Sequence, residues 1–301
     1  MYGKMLIPLD GSKTAEQVLP YARYLAGRFK IPVELMAIVD MAEFVAHAAP
    51  GRAPVYEKMI EGEAARSAAY LRGIAATFGG ADVKCTVEKG RPGEVIAEKS
   101  GAGSEVLIAM TTHGRSGLGH FMMGSVAEKV LRTVGSSVLI VRADEVAKAD
   151  GEARFSTVIV PLDGSDLAAA VLPKVAELAK TLGLEVILFR AYHMPYSAYA
   201  DENYVALANY DEIIGEIKDE AKRYLETKAA ELKRLGIEKV TYLTREGRSA
   251  DEIIALGRET QSSLIAMASH GRSGIQRWVL GSVAENVLRH AAGPVLVVHP
   301  A

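Results

Sequence analysis

The hydrophobic pattern of the first half of the chain consists of short apolar runs that barely alternate with polar residues. Runs of this kind predict strands buried on both faces, as in a parallel sheet that helices cover on both sides. The predicted strands are Lys4–Leu9, Val33–Val39, Val83–Val87, Val106–Met110 and Val138–Val141.

Stretches with a helical spacing of apolar residues lie between these strands. Their alternation with the strands favours an α/β fold with right-handed crossovers. Pro20 falls inside the first predicted helix and Pro173 inside its counterpart in the second half, so we expect both helices to be kinked. The predicted helices of the first half are Ala15–Phe29, Tyr56–Phe78, Gly93–Lys99 and Val126–Val134.

The same pattern occurs twice along the chain. The heptapeptide Leu6–Ser12 returns in nearly the same form at Ile159–Ser165, 153 residues later. The segments His113–Arg132 and His270–Arg289 lie 157 residues apart and are identical at 13 of 20 positions. The change of offset places a net insertion of four residues in the second copy, where the middle helix, near Asp211–Leu235, is longer. The chain is therefore an internal duplication.

The duplication predicts two tandem doubly wound domains, at residues 1–143 and 155–301, with a charged, alanine-rich linker at 144–154. The formal net charge of −2 gives no indication of a nucleic-acid or anionic membrane partner. No apolar run is long enough to predict a membrane span. Cys85 is the single cysteine, so no internal disulfide can form, and we expect a cytoplasmic location.

Two aspartates end the first predicted strand of each copy. Asp10 and Asp163 stand before a glycine and a helix, at the strand ends where open parallel sheets bind ligands. A carboxylate there could accept hydrogen bonds from a sugar hydroxyl or a base amine. It could equally cap the following helix, and the sequence leaves both interpretations open.

A glycine-containing segment follows the fourth predicted strand of each copy. Nine residues separate Gly114 from Gly124, which precedes a helix, and the same spacing recurs in the second copy. Glycine allows close approach of a phosphate, and the start of a helix offers free backbone N–H groups. Alternatively, Ser125 and Glu128 form a capping box that satisfies these groups. Both interpretations can hold together.

Residues typical of catalysis are missing from these motifs. His113 and His270 have no acidic, cysteine or histidine neighbour at metal-ligand spacing, so we expect loop-packing roles for them and no protein metal site. The sequence contains no Walker A motif, no nucleophile elbow and no zinc-protease motif. We therefore assign no catalytic residue.

The strand-end aspartates, the histidine–glycine segment and the helix that begins at Gly-Ser together resemble the universal stress protein family over essentially the whole chain, twice. The resemblance implies a five-stranded parallel sheet of order 3-2-1-4-5 in each domain. It also implies ATP binding, which many members achieve through Gly-x2-Gly-x9-Gly-(Ser/Thr). This chain matches all of that pattern except its first glycine, which Thr111 and Ala268 replace. The bulkier Thr111 predicts weaker binding in the first domain.

The resemblance carries over to particular residues in each copy. It implies that the strand-end aspartates contact ribose or adenine, that a residue after the second strand contacts adenine through its backbone, and that the glycines and the following residues hold phosphate. In the first copy these positions are Pro8, Leu9, Asp10, Ile38, Met110, Thr111, Gly114, Gly124, Ser125 and Val126. In the second copy they are Pro161, Leu162, Asp163, Ala191, Met267, Ala268, Gly271, Gly281, Ser282 and Val283.

The function that these observations favour is a nucleotide-dependent signalling protein of the stress response. Its ligand would be ATP or another adenine nucleotide, accompanied or not by Mg²⁺. Two alternatives stay open: a nucleotide-free interaction module of the same fold, and a slow ATPase or autokinase.

The last predicted strand of each copy, Val138–Val141 and Pro294–Val298, is a strongly apolar sheet edge. Exposed edges of this kind tend to pair, and in the family the domains dimerise antiparallel through this strand. We therefore expect the two domains to pair internally, edge to edge. Further pairing into a homodimer is compatible with the resemblance, although the sequence itself does not decide it.

Overall fold

The computed structural model describes residues 2–41, 53–101, 105–113, 123–142, 153–194, 210–269, 271 and 280–299. The first domain contributes, in chain order, β1 (Lys4–Pro8), α1 (Lys13–Glu16), α2 (Leu19–Phe29), β2 (Val33–Asp40), α3 (Ala53–Ala75), a 3-10 turn (Ala76–Phe78), β3 (Val83–Gly90), α4 (Pro92–Ser100), β4 (Val106–Thr111), α5 (Ser125–Thr133) and β5 (Ser137–Val141).

The second domain repeats this order. Its elements are β6 (Thr157–Pro161), α6 (Asp166–Ala169), α7 (Leu172–Leu182), β7 (Glu185–Tyr192), α8 (Tyr210–Arg234), β8 (Val240–Glu246), α9 (Ser249–Glu259), β9 (Ser263–Ala268), α10 (Ser282–His290) and β10 (Val295–Val298). None of the helices in the described ranges is both long and apolar enough to cross a membrane.

All ten strands form one sheet in the order β3-β2-β1-β4-β5-β10-β9-β6-β7-β8. Within each domain the strands are parallel and follow the order 3-2-1-4-5, as the resemblance implied. The predicted fold class, two tandem doubly wound domains, is confirmed. The strand order changes direction between the first and fourth strands, which opens a crevice at their carboxyl ends.

The two domains join through their last strands. β5 and β10 pair antiparallel, with Leu139 opposite Leu296 at the centre of the contact. This is the edge-to-edge pairing that the apolar composition of these strands predicted. Because the two half-sheets run in opposite directions, the carboxyl ends of their strands point to opposite ends of the molecule.

The central strands of the sheet are almost entirely apolar because helices cover both of its faces. Met5 and Ile7 point into one core layer and Leu6, between them, into the other, and all three are fully buried. Each layer continues through both domains. Burial of each such side chain contributes about 1.5–3 kcal/mol, which explains why alternation is almost absent from these strands.

The prolines do not kink a helix, contrary to our expectation. Instead, each predicted first helix is divided into a single turn and a longer helix, and Pro20 and Pro173 lie in the first turn of α2 and α7. The first N–H groups of a helix have no intrahelical acceptor, so proline there removes no hydrogen bond. The prediction was wrong because the break precedes the proline.

Aromatic residues strengthen the contact between domains on one side of the sheet. Phe155 of the second domain stacks on Tyr21 at 5.6 Å between ring centroids and meets Tyr24 edge-on at 5.8 Å. Nearby, the Lys174 ammonium lies 4.4 Å from the ring centroid of Tyr2. Aromatic pairs of this kind contribute beyond their buried area, so these contacts help to fix the two domains against each other.

On the other side, His299 of the second domain bridges two backbone carbonyls of the first. Its Nδ1 lies 2.9 Å from the Ser136 oxygen and its Nε2 lies 3.0 Å from the Leu131 oxygen. The Leu131 carbonyl is in the last turn of α5, where helix carbonyls lack intrahelical partners. Carbonyl oxygens only accept hydrogen bonds, so the imidazole is the donor toward these carbonyls.

We expect His299→Ala to lower the free energy of unfolding by about 1–3 kcal/mol, because it leaves two interdomain carbonyls without donors. Urea denaturation measures the loss. The matched control is His290→Ala, which removes an exposed histidine whose ring contacts the Asn286 carbonyl of its own helix, and should change stability by about 0.5 kcal/mol or less. Equal losses in both variants would contradict an interdomain role for His299.

Candidate functional site

The strand-end aspartates position a cap and do not themselves cap the helix. Asp163 Oδ1 accepts hydrogen bonds from the Ser165 backbone N–H at 2.9 Å and from its hydroxyl at 2.6 Å. Ser165 Oγ in turn accepts from the Ala168 N–H, which makes the serine the N-cap of α6. Asp10 and Ser12 repeat this arrangement in the first domain. The capping alternative was thus wrong for the aspartates themselves.

The glycine before Ser125 and Ser282 is the true N-cap of α5 and α10. Both serines occupy the first helical position, and neither helix has a side-chain cap hydrogen bond. Glu285 turns instead to Arg289 in the next turn of its own helix. The capping-box prediction was therefore wrong, and the glutamates do not occupy the N–H groups at these helix starts.

The start of α10 consequently presents backbone donors that have no acceptor within the helix. Gly281 N–H donates to the Ser269 carbonyl at 2.9 Å, so the segment that follows β9 is tied to the helix start. The N–H groups of Ser282, Val283 and Ala284 have no intrahelical acceptor, because the first intrahelical bond is donated by Glu285. Together with the positive end of the helix dipole, these groups favour an anion.

A cavity of about 650 Å³ opens at this place, at the carboxyl ends of β6, β7 and β9. Its volume lies within the range of roughly 300–1,000 Å³ typical of small-molecule sites. The structure brings together there all ten positions predicted for the second domain: Pro161, Leu162, Asp163, Ala191, Met267, Ala268, Gly271, Gly281, Ser282 and Val283.

Gly271 explains part of the shape of this cavity. A Cβ atom at this position would lie 2.3 Å from Asp163 Oδ2, so only glycine fits beside the carboxylate without displacement. The contact joins the end of β6 to the segment after β9, across two adjacent strands. Asp163 is therefore held between Ser165 on one side and Gly271 on the other.

In the first domain the counterparts lie at equivalent strand ends. Gly114 lies outside the described residues, whereas Pro8, Leu9, Asp10, Ile38, Met110, Gly124, Ser125 and Val126 occupy the same elements as their repeats. Thr111 is buried, and its hydroxyl donates to the His113 carbonyl at 2.6 Å, which ties the segment after β4 in a way that Ala268 cannot. This hydroxyl is the main difference between the two domains at the position of the first glycine in the family pattern.

The cavity has polar lining that our sequence reasoning missed. Arg190 of β7 donates to both carboxylate oxygens of Glu220 on α8, at 3.2 and 2.9 Å. The first repeat has Ala37 at the position of Arg190. The strand register shows this, because Met36 pairs with Pro8 and Phe189 pairs with the equivalent Pro161, and Ala37 and Arg190 are the residues that follow. A charged residue inside an apolar strand run was the signal that could have found it. Other missed lining residues are Tyr192, His193, Ile217, Ser249, Ile253 and Ser269.

Tyr224 stands behind Arg190. The guanidinium carbon lies 5.2 Å from the centroid of its ring, a cation–π distance. Burial raises the pKa of Tyr224, and the nearby carboxylate of Asp163 raises it further, whereas Arg190 opposes this. Its buried hydroxyl has no hydrogen-bond partner among the described residues, in contrast to Tyr70 of the first domain, which donates to Glu16. The second repeat has Ala169 in place of Glu16.

Among the residues that the structure describes, no group of three His, Cys, Asp or Glu side chains is placed to hold a metal ion.

Comparison with known proteins gives matches over the whole chain. The model of the universal stress protein family matches residues 1–142 and again 154–299. A universal stress protein of Methanocaldococcus jannaschii is 30% identical over 149 residues, which are 50% of this chain and 85% of the relative. One of Mycobacterium tuberculosis is 24% identical over 303 residues, 97% of this chain and 96% of the relative.

A solved structure shows the same fold at full length. The universal stress protein from Archaeoglobus fulgidus superposes with a TM-score of 0.69 at 23% identity, and the match covers 100% of both chains.

We expect Gly271→Ala to lower the free energy of unfolding by about 1–3 kcal/mol, because the added methyl must displace Asp163. Chemical denaturation checks this. The control, Gly215→Ala, adds the same methyl where no atom outside its own helix lies within 4 Å, and should raise stability by about 0.5–1 kcal/mol through helix propensity. An unchanged or higher stability of Gly271→Ala would show that the Asp163 contact is not restrictive.

Proposed function

Because the chain belongs to the universal stress protein family, we propose that its second domain binds an adenine nucleotide, ATP in particular, in the cavity at the ends of β6, β7 and β9. The observation that carries the proposal is that the ten positions named from the sequence line one cavity, beside three N–H groups of α10 that have no intrahelical acceptor. Backbone donors at a helix start suit a phosphate.

The arrangement of the lining defines how the ligand would lie. The N–H groups of Ser282, Val283 and Ala284 would hold phosphate oxygens. Asp163, one strand away, would accept hydrogen bonds from ribose hydroxyls. Ala191, on the far strand of the cavity, would contact the base. If Mg²⁺ accompanies the nucleotide, phosphate oxygens and water would supply most of its ligands, as is usual for this ion.

In the same proposal the protein is a signalling module of the stress response. Binding of the nucleotide would change the conformation or partner preference of the second domain, and no described side chain is assigned a catalytic step. The surroundings of Asp163 support binding more than hydrolysis, because its Oδ1 is engaged by Ser165 and holds the cap of α6. A nucleotide-free interaction module is the alternative that the experiments below separate.

We further propose that the first domain binds nucleotide more weakly. Thr111 occupies the place of a glycine in the family pattern, and its hydroxyl fixes the following segment through the His113 carbonyl. Ala268 carries only a methyl group at the matching position. The first site therefore leaves less space for a phosphate, and the segment after β4 is less free to adjust to it.

The proposal includes the organisation of the chain. Residues 1–143 and 155–301 are the two domains, and 144–154 is the linker between them. The single cysteine, Cys85, suits a reducing cytoplasm. A homodimer of the full chain is a further possibility for the assembly, to be tested by light scattering.

We expect purified protein to release an adenine nucleotide on denaturation, because a site of this kind retains a tightly bound ligand through purification. Mass spectrometry of the released small molecules identifies it. If the site is too weak to keep its nucleotide during purification, calorimetric titration with ATP and Mg²⁺ measures the binding directly. No retained nucleotide together with no binding at millimolar ATP would leave the interaction-module alternative.

We expect Val283→Asp to weaken ATP binding at least tenfold, because a carboxylate beside the α10 donors repels phosphate. The same change should leave the free energy of unfolding equal or slightly higher, since an acidic residue in the first turn complements the helix dipole. Calorimetric titration and urea denaturation measure the two effects. The matched control is Val126→Asp at the start of α5, where the proposal expects a smaller effect on total binding. Unchanged affinity of Val283→Asp would argue against phosphate at α10.

A further inference from the structure

The Arg190–Glu220 pair distinguishes the second cavity from its repeat. The side chain of Arg190 is only 7% exposed, whereas that of Glu220 is 57% exposed, and both line the cavity. In the first domain Ala37 replaces the arginine. Arg66 is the counterpart of Glu220, because each stands four residues before a tyrosine, Tyr70 or Tyr224. Arg66 pairs with Glu63 of its own helix. The pair is thus a feature of one domain only.

Its place in the sheet puts the pair at the end of the cavity away from α10. Gly271 follows β9, and Arg190 belongs to β7, with β6 between them. Two strand spacings separate them, roughly 9.5 Å. A nucleotide whose phosphates lie on α10 would therefore direct its base, and not its phosphates, toward Arg190 and Glu220.

The chemistry of the pair suits a hydrogen-bond donor on the ligand. Two donors of the guanidinium are directed to Glu220, one to each carboxylate oxygen, and Tyr224 lies against the guanidinium. Each carboxylate oxygen can accept a further bond, because an ionised carboxylate has about four acceptor positions. Arg190 consequently fixes an acceptor-only group at the wall of the cavity.

We propose that Glu220, held in place by Arg190, recognises the exocyclic amino group of the base and so makes the second site selective for adenine over purines that carry oxygen at the same position. This inference rests on the proposed function, since it assumes a nucleotide in the cavity. Glu220 would accept a hydrogen bond from the amino group, and Arg190 would act as a positioning residue. A carbonyl oxygen in place of the amine would face the carboxylate with no proton between them.

The test compares ATP with inosine triphosphate, which has a carbonyl oxygen where ATP has the amino group, by calorimetric titration. We expect the wild type to bind ATP about tenfold more tightly, because a hydrogen bond to a charged group is lost with inosine. In Glu220→Gln the preference should fall to about threefold or less, because an amide can donate to the carbonyl or accept from the amine. The glutamine also still accepts from Arg190, so the fold is retained.

The variant Arg190→Ala, titrated with ATP and with tripolyphosphate, distinguishes an effect on base recognition from an effect on phosphate binding. We expect this variant to weaken ATP binding about tenfold and to leave tripolyphosphate binding unchanged. The matched control is Arg245→Ala, which removes another two-bonded arginine–glutamate pair, with Glu259, from residues outside the cavity lining. It should alter neither affinity. Thermal unfolding of each variant verifies that it is folded.

The outcomes distinguish this inference from the proposed function. ATP binding by the wild type with an unchanged preference in Glu220→Gln overturns the inference alone. Equal weakening of ATP and tripolyphosphate in Arg190→Ala makes the arginine a phosphate ligand and overturns it as well. Binding of neither nucleotide by the wild type overturns the proposed function and the inference together.

Discussion

The antiparallel pairing of β5 with β10 is the constraint on which the rest of the structure depends. It joins two parallel half-sheets at their most apolar edges, which would otherwise offer unpaired backbone groups to other chains. The strands are parallel within each half, and the two halves run in opposite directions. The carboxyl ends of the two sets of strands therefore lie at opposite ends of the molecule. Each cleft must therefore be built from its own domain, so one can diverge while the other is unchanged.

Within each cleft the backbone and the side chains supply different parts. The helix start at Gly281 is formed by the backbone, the Asp163–Ser165 cap is formed by two short side chains, and both recur in the first domain. Both belong to motifs that the two copies share, so duplication preserves them. The wall formed by β7 and α8 depends on side chains that point across the sheet, and there the repeats differ. The two domains thus share one frame and differ in one wall of the cleft.

The fold was predictable because both repeats contain nearly continuous apolar strands and closely similar motifs, and buried parallel sheets require that pattern. The ten cavity positions of the second domain came from the resemblance to the family, and they lie together because strand ends on neighbouring strands converge at one edge. The predictions that failed concerned where a helix begins: Ser125 as a cap, and Pro20 inside a helix. Helix ends are the least sharply defined part of a helix, so the sequence pattern does not fix them. Arg190 and Glu220 were missed because their contact joins a strand to a helix 30 residues later.

The difference between the repeats at the wall formed by β7 and α8 is a change of several residues together. Arg190 in place of Ala37 would leave a buried charge unless α8 supplied a carboxylate, and an uncompensated charge there is strongly destabilising. An ion pair with one solvent-exposed partner usually contributes only about 0–1 kcal/mol, so the fold gains little from the pair. The Glu220 side chain is more than half exposed, and the residue lines the cavity. The pair therefore contributes more to the lining of the cavity than to the stability of the sheet.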